Sequence, residues 1–285
     1  MDKDQFSACK IIAEVGCHHL GKFSRGKELI QLAKLCGAHY VKFQKRNPDE
    51  CVPEKLKHQP HPNKVFAYGD TYLEHRKSLE LTIDQHRELK EYAESIGIGY
   101  SSSVWDITSA REIISLKPDF IKIGSPSNRN SKLISLLYDE YDGDVHISLG
   151  MATKKEIAAL VASLPSDASE RTVLYHCTSE YPCPFDRLYL LDIQYLMKEY
   201  GLTVGFSNHG YGIAADMVAW VLGAKWIERH FVDDRTLRHT DASASLEPDG
   251  LRRVCRDLAH VHEAMQYKEE ITDEEWKQRS KLENI

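Results

Sequence analysis

The chain has 285 residues, and because a single α/β barrel commonly uses about 250 residues, one large domain is expected. Hydrophobic residues make up 42% and charged residues 28%, which is typical of a globular protein and excludes a disordered chain. The net charge of -6 excludes a general attraction to nucleic acid or anionic lipid, so any anionic ligand needs a local cluster of cations.

The cysteines and the N-terminal segment predict a cytoplasmic protein. The seven cysteines are scattered and include no C-x-x-C pair, which is typical of reduced thiols. The first ten residues, MDKDQFSACK, lack the long apolar stretch of a signal peptide. No segment approaches the roughly 18 apolar residues that a membrane span requires. Export and membrane insertion are therefore not expected.

Short apolar runs alternate with amphipathic segments along the chain. Eight runs are typical of buried parallel strands, namely Lys10 to Val15, Tyr40 to Phe43, Ile98 to Ser101, Phe120 to Ile123, Val145 to Leu149, Val173 to His176, Leu202 to Phe206 and Trp226 to Glu228. An unbroken series of strand-helix alternations favours a closed (β/α)8 TIM barrel over an open doubly wound sheet.

Helix signals stand between these runs. Capping boxes, in which a Thr is followed three positions later by Glu or Gln, occur as TIDQ from Thr82 and TKKE from Thr153. Ser24 and Gly37 bracket another helix, and Pro248 suits the first turn of the last barrel helix.

Two segments depart from the alternation. The stretch from Arg46 to Leu79 is rich in Pro, His, Lys and Tyr and has no period, so we expect a long loop after the second strand, either a substrate lid or a disordered insertion. Residues 1–267 are predicted to form the barrel, and residues 268–285 a charged tail with a short helix from Asp273 to Lys281. No second domain is expected after the barrel.

Polar residues follow nearly every apolar run, at the strand ends where barrel enzymes carry their catalytic groups. They are Glu14, His19, Lys42, Gln44, Ser102, Ser103, Lys122, Ser125, Ser148, Thr178, Ser179, Tyr181, Ser207, His209, Glu228 and His230. Lysines with short hydroxyls suit a phosphate. His209 and His230, with Glu228 and Asp241 nearby, suit a divalent metal that acts as a Lewis acid.

Each of these residues alone has a structural interpretation. Lys42 or Lys122 in isolation would more often pair with a helix carboxylate, and His176 is more often a hydrogen-bonded core residue. Arg229 should point away from its strand neighbours, because side chains alternate along a strand. Five further histidines are expected on loops or helix surfaces, namely His18, His58, His61, His75 and His86. Only the combination of residues predicts a catalytic site.

Eight stretches form a distinctive series along the chain. They are IIAEVGCHHLG from Ile11, VKFQ from Val41, KIGS from Lys122, SLGMATKKEI from Ser148, HCTSEYPCP from His176, VGFSNHG from Val204, IERHF from Ile227 and DASASLEP from Asp241. In this order and spacing, over nearly all of residues 10 to 255, the chain resembles the N-acetylneuraminate (sialic acid) synthase family.

The resemblance implies a metal-dependent condensation of phosphoenolpyruvate with N-acetylmannosamine or a related aldose, giving a sialic-acid-like 3-deoxy-2-keto acid. It implies that His209 and His230 hold a divalent metal, usually Mn²⁺ in this family, beside Glu228. Phosphoenolpyruvate is implied at Lys42, Ser103, Lys122, Ser125, Ser179 and Ser207. The sugar is implied at Glu14, Gln44, Tyr181 and Asp241. Glu14, Glu228 and Asp241 are the catalytic candidates, and a homodimer is the family expectation.

Departures from the family pattern predict an altered acceptor sugar. Members usually carry a further C-terminal domain resembling antifreeze protein, and this chain is expected to lack it. The usual glutamate after the fourth strand is Ser127 here, so the resemblance implies that an active-site carboxylate linked to the addition of water is missing. The usual Asn-His is His18-His19, and the usual Ser-Asp-His has Asn208 in the middle.

Two other functions stay open at this point. Ser127 in place of the glutamate fits a metal-dependent aldolase or lyase, which would release no phosphate from phosphoenolpyruvate. A catalytically silent barrel that serves as a subunit or sugar sensor would bind no metal. The two histidines and the two lysines favour the synthase over this last function.

Overall fold

The structure is a computed structural model that describes residues 7–283, and it is a closed barrel of parallel strands. The strands are β1 (Lys10–Gly16), β2 (Tyr40–Lys45), β3 (Gly99–Val104), β4 (Phe120–Ile123), β5 (Asp144–Ser148), β6 (Thr172–His176), β7 (Thr203–Asn208) and β8 (Trp226–His230). They pair in chain order, and β8 pairs with β1 to close the ring. The predicted TIM barrel is confirmed.

Helices follow the strands around the outside of the barrel. They are α1 (Phe23–Leu35), α2 (Pro48–Cys51), α3 (Glu54–Lys57), α4 (Tyr72–Ser78), α5 (Ile83–Ser95), α6 (Ile107–Ser115), α7 (Ser131–Glu140), α8 (Lys154–Ala162), α9 (Asp192–Tyr200), α10 (Ala214–Val221), α11 (Pro248–Ala264) and α12 (Asp273–Leu282). Helix α12 lies in the C-terminal segment where a short helix was predicted.

Local hydrogen bonds explain where several helices begin. The hydroxyls of Thr82 and Thr153 accept a hydrogen bond from the backbone three residues on, and both predicted capping boxes are complete. Pro248 stands in the first turn of α11, as predicted. The predicted start at Ser24 is wrong, because α1 already begins at Phe23 and no side chain caps it.

The amino-terminal end of the barrel is filled by side chains. Ile12, Phe120, Val173, Tyr175 and Trp226 form a buried cluster there, and Phe120 and Trp226 are the first residues of their strands. The ring of His146 stacks on Phe120 with centroids 4.0 Å apart. This end is therefore packed like a core, and a ligand site has to lie at the opposite end.

The segment between β2 and α5 is not the irregular loop that we predicted. It contains α2, α3 and α4 and a 3-10 turn at Lys64–Phe66. The Tyr68 hydroxyl donates to the carbonyl oxygen of Arg238 at 2.6 Å, and Arg238 Nε donates to that of Val65 at 2.8 Å. These bonds tie the segment to the loop after β8. Helices of four to seven residues are too short to show a period in the sequence.

Most of the histidines expected on surfaces are buried. The buried ones are His18, His61, His75 and His86, whereas His58 is exposed as predicted. His86 lies on α5, where its Nδ1 is 2.5 Å from the hydroxyl of Tyr100. His176 is a core residue as predicted, and its Nε2 donates to the carbonyl oxygen of Leu188 at 2.7 Å.

The cysteines agree with the expectation from composition. All seven cysteines lie within residues 7–283, and each is a free thiol. In that same range, no helix combines the length and the apolar content that crossing a bilayer would require.

Candidate active site

A cavity of about 320 Å³ lies at the carboxyl ends of the barrel strands. It is lined by every residue that we singled out for catalysis, substrate binding or metal binding, namely Glu14, Lys42, Gln44, Ser103, Lys122, Ser125, Ser179, Tyr181, Ser207, His209, Glu228, His230 and Asp241. Ser148 also lines it. His19, Ser102 and Thr178 stand at strand ends as predicted but are not among the residues that line this cavity.

Both lysines of the cavity are buried against carboxylates of the barrel. Lys42 Nζ donates to Ser103 Oγ at 2.6 Å and forms an ion pair with Glu14. Lys122 Nζ donates to Glu228 Oε1 at 2.7 Å, and Lys42 Nζ lies 3.7 Å from Glu228 Oε2. The partners stand on strands, so the interpretation that these lysines pair with helix carboxylates is wrong.

The two glutamates have pKa values that are shifted in opposite directions. Burial raises the pKa of Glu14, although Lys42 opposes the shift. Burial acts on Glu228 too, but the charges of Lys122 and Lys42 outweigh it and lower the pKa of Glu228 to about 2. Burial lowers the pKa of Lys122, and Glu228 partly offsets this. Glu14 is therefore the more readily protonated of the two carboxyl groups, and Glu228 stays ionised.

Hydroxyl groups surround Gly150 on one side of the cavity. A Cβ at Gly150 would lie 2.3 Å from Ser179 Oγ and 2.5 Å from Ser125 Oγ, so any larger residue there would push these hydroxyls aside. Ser179 Oγ is buried and has no hydrogen-bond partner among the described residues. Among the described residues, the hydroxyls of Ser125 and Ser148 have a weak partner in Cys177 Sγ, at 3.5 and 3.2 Å. These hydroxyls can turn to a ligand without breaking a strong hydrogen bond.

The geometry and charge of His209 and His230 fit a divalent cation. His209 Nδ1 donates to the carbonyl oxygen of Thr178 at 2.8 Å, which leaves the lone pair on Nε2. His230 Nδ1 is buried and lacks a hydrogen-bond partner among the described residues. Burial lowers the pKa of His209 to about 3 and that of His230 to about 4, so both imidazoles are neutral near pH 7. Their ring centroids are 5.5 Å apart.

Side chains alone do not complete a metal site. Within residues 7–283, no three His, Cys, Asp or Glu side chains are grouped to hold one ion. Two imidazoles would leave the other coordination positions to water and substrate oxygens, as a catalytic metal requires. The carboxylate of Asp241 lies beside the imidazoles. Burial would raise its pKa, but His230 and His239 outweigh that effect and keep Asp241 ionised.

Tyr181 and Gln44 flank the charged groups. The ring centroid of Tyr181 lies 4.2 Å from that of His209, and its side chain is partly exposed. Gln44 Nε2 donates to Glu14 Oε1 at 2.8 Å. The structure therefore brings the residues implied for the sugar next to those implied for the metal.

We did not predict Arg46 and Arg76, which line the same cavity. Arg46 follows Gln44 by two residues, so strand alternation could have identified it. Arg76 lies on the short helix α4, which left no signal in the sequence. Ser127, which replaces the usual glutamate, donates to the carbonyl oxygen of Trp105 at 3.3 Å and is not among the residues that line the cavity.

A buried ion pair outside the cavity holds the end of β7. Arg229 points away from its strand neighbours, as predicted, and its Nη1 lies 3.1 Å from Asp216 Oδ2. Asn208 Nδ2 donates to Asp216 Oδ1 at 2.7 Å and Asn208 Oδ1 accepts from Gly210 N at 2.8 Å. Asn208 thus links the backbone just after His209 to the buried ion pair.

The chain is similar to known synthases over most of its length. The NeuB family model matches residues 29–270. The N,N'-diacetyllegionaminic acid synthase of Campylobacter jejuni is 34% identical over 257 residues, which are 90% of this chain and 77% of that protein. The N-acetylneuraminate-9-phosphate synthase of Homo sapiens is 35% identical over 261 residues, 90% of this chain and 71% of that protein.

A solved structure agrees in fold and family. The crystal structure of an N-acetylneuraminic acid synthetase from Leptospira borgpetersenii superposes with a TM-score of 0.78 at 25% identity, covering 98% of this chain and 94% of that one. The resemblance seen in the sequence is confirmed. With its strand-end residues gathered in one cavity, this chain belongs to the NeuB family and is a phosphoenolpyruvate-condensing synthase of the sialic-acid type.

Proposed function

We propose that this enzyme joins phosphoenolpyruvate to an aldose, either N-acetylmannosamine-like or altered, and releases phosphate to give a sialic-acid-like 3-deoxy-2-keto acid. One observation carries the proposal: a lysine pair, a group of hydroxyls and two neutral imidazoles share one cavity. The names of the relatives include legionaminic, N-acetylneuraminate 9-phosphate and pseudaminic acid synthases, so the family alone does not choose the sugar.

Phosphoenolpyruvate is proposed to bind to Lys42, Lys122 and the hydroxyls of Ser103, Ser125, Ser179 and Ser207. Charged donors and short hydroxyls stabilise phosphate and carboxylate oxygens. In the free enzyme the carboxylates of Glu14 and Glu228 hold the two ammonium groups in place. Because this pairing already balances the charge of the two lysines, a further cation in the cavity would strengthen the binding of an anionic substrate.

We assign His209 and His230 as the residues that would hold that cation, and Mn²⁺ as its identity. When bound, the metal supplies Lewis acidity towards the aldehyde oxygen of the sugar. The hydrogen bond from His209 Nδ1 to Thr178 fixes the tautomer and the direction of the ring. Tyr181 packs beside His209 and limits the space left for the acceptor.

The carboxyl groups are proposed to donate and accept the protons of the reaction. C3 of phosphoenolpyruvate forms a bond to the aldehyde carbon, water adds at C2, and phosphate leaves from the resulting tetrahedral centre. Glu14, which is paired with Lys42 in the free enzyme and whose pKa burial raises, is suited to take up a proton as the substrates bind and to donate it to the aldehyde oxygen as that becomes a hydroxyl. Asp241, which stays ionised, is suited to accept a proton from the attacking water. Glu228 orients Lys122 and also accepts from Ser207 Oγ at 3.2 Å.

The test replaces each proposed metal ligand. His209→Ala and His230→Ala should each lower turnover by at least about 100-fold and lower the bound Mn²⁺ per chain, because each removes a direct ligand. His58→Ala is the matched control, since His58 is exposed and lies outside the cavity. Product is measured by mass spectrometry, phosphate by release from phosphoenolpyruvate, and metal by elemental analysis.

The outcomes separate the open functions. Full turnover and full metal content in both variants would remove the two histidines from the proposal. A keto acid product formed or cleaved without phosphate release would indicate an aldolase instead, and Ser127 in place of a carboxylate makes that comparison necessary.

A further inference from the structure

Arg76 on α4 lines the cavity but has no carboxylate partner among the described residues. Its Nε and Nη2 both donate to the hydroxyl of Tyr72, at 3.2 and 2.7 Å. The guanidinium carbon lies 5.1 Å from the centroid of the Tyr72 ring. Nη1 makes no hydrogen bond to the described residues. Tyr72 therefore holds the guanidinium in place but leaves its charge unbalanced.

Every other Lys or Arg that lines the cavity is balanced by an acid. The pairs are Lys42 with Glu14, Lys122 with Glu228, and Arg46 with Glu80. The remaining carboxylate of the cavity, Asp241, lies 3.9 Å from His239 and forms no ion pair with Arg76 in the described residues. Arg76 thus gives the cavity a half-buried positive charge that a ligand can use.

Arg76 and the hydroxyls around Gly150 come from different parts of the barrel. It belongs to the segment that follows β2, whereas Ser125, Gly150 and Ser179 follow β4, β5 and β6. In the closed strand order, β6 lies opposite β2. We therefore assign the charge of Arg76 to the second substrate rather than to a phosphate bound among the hydroxyls around Gly150.

The segment around Arg76 also meets the part of the site proposed for the sugar. Tyr68 and Val65 are hydrogen-bonded to Arg238, three residues before Asp241. A sugar that reaches from the imidazoles past Asp241 approaches α4 with the end remote from its aldehyde. A neutral end would leave the guanidinium without a counter-charge, while a phosphoryl group offers the oxygens that arginine binds best.

We propose that Arg76 binds a phosphoryl group at the far end of the acceptor, so that the acceptor is an aldose phosphate. This inference rests on the proposed condensation reaction. It adds a phosphoester subsite to the cavity and makes Arg76 the residue that selects phosphorylated over free sugars.

The experiment compares acceptors in pairs. N-acetylmannosamine, N-acetylglucosamine and mannose are each supplied with phosphoenolpyruvate and Mn²⁺, with and without a 6-phosphate, and kcat/KM is measured from product formation. Glucuronate is supplied in the same way as an acceptor with a carboxylate end. Wild-type enzyme should prefer a phosphorylated member. In Arg76→Gln that preference should fall by about 10- to 100-fold, mostly through KM for the sugar, because a charged hydrogen bond is lost.

Controls keep the test decisive. Lys77→Gln, which changes the next and exposed residue of the same helix, should keep the wild-type preference. Arg76→Lys should fall between wild type and Arg76→Gln, because it keeps the charge but loses the forked donors. Thermal unfolding of each variant shows whether the barrel is folded.

The possible results distinguish the phosphoryl subsite from the proposed condensation reaction. Product from free and phosphorylated sugars at equal kcat/KM, with no change in Arg76→Gln, overturns the subsite and leaves the condensation standing. An Arg76-dependent preference for glucuronate over the phosphates overturns the phosphoryl assignment. No product from any sugar, with enzyme that is folded and metal-loaded, counts against the proposed function itself.

Discussion

Single residues reach the cavity because of the strand register. Glu14 on β1 stands opposite Lys42 on β2 and opposite His230 on β8, and Ser207 on β7 stands opposite Glu228. Parallel strands in register place such residues in one layer, and alternation turns them into the barrel. A carboxyl, an ammonium and an imidazole therefore meet without any loop having to position them.

Gly150 offers a test of the hydroxyl side of the cavity. Gly150→Ala should raise KM for phosphoenolpyruvate by about 10- to 100-fold, because its Cβ would displace Ser125 and Ser179 by a substantial fraction of an ångström or more. Steady-state kinetics with varied phosphoenolpyruvate at a fixed sugar concentration measures the effect.

Gly124→Ala is the matched control for that variant. Gly124 lines the same cavity, but a Cβ there would have its nearest neighbours at 3.7 Å, and its φ of -71° is open to any residue. It should leave KM within about twofold, since no neighbour has to move. Equal losses in the two variants would mean that Gly150 has no special role.

The residues that were predictable and those that were missed differ in their local setting. Glu14, Lys42, Lys122 and His230 each stand on a strand whose apolar run is plain in the sequence, and their positions followed from that. Arg76 stands on a short helix whose place depends on contacts with a distant loop, and no periodicity reports such contacts.

At the scale of elements, the capping boxes of helices could be predicted directly from the sequence. A Thr hydroxyl satisfies a backbone N–H that the first turn otherwise leaves open, and this chemistry depends only on residues a few positions apart. The short helices between β2 and α5 also follow local rules, because Thr71 and Glu74 form a complete capping box on α4. These helices were not predicted because they are short, although the cap of α4 follows the usual pattern.

The caps can be tested in the unfolding equilibrium. Thr82→Ala should lower the free energy of unfolding by about 1 kcal/mol, because the backbone N–H of Gln85 loses its acceptor. Ser24→Ala, within the first turn of α1, should change it by less than about 0.5 kcal/mol, because no side chain caps that helix. Urea titrations followed by circular dichroism give both values, and similar losses in the two variants would contradict the assignment.

At the scale of the whole molecule, the fold was predictable from the count and order of apolar runs. Eight such runs with intervening helices favour a closed ring, in which crossovers join the parallel strands and no edge is left open. The ends of most runs shifted by one to three residues, as at β3, which spans Gly99–Val104 rather than Ile98 to Ser101. Burial of histidines was not predictable, because it depends on how helices pack on the ring.

The division into a barrel of residues 1–267 and a tail stays a prediction, and truncation tests it. Every described residue from 268 to 283 is exposed, and α12 contributes no buried side chain. A chain that ends at residue 267 should therefore keep its free energy of unfolding to within about 0.5 kcal/mol, because it loses almost no buried apolar surface. Leu258→Ala on α11 is the contrasting variant: that side chain is 4% exposed, and its loss should cost about 2 to 5 kcal/mol. If the truncated chain loses as much as Leu258→Ala, the tail is part of the folded unit and the boundary at 267 is wrong.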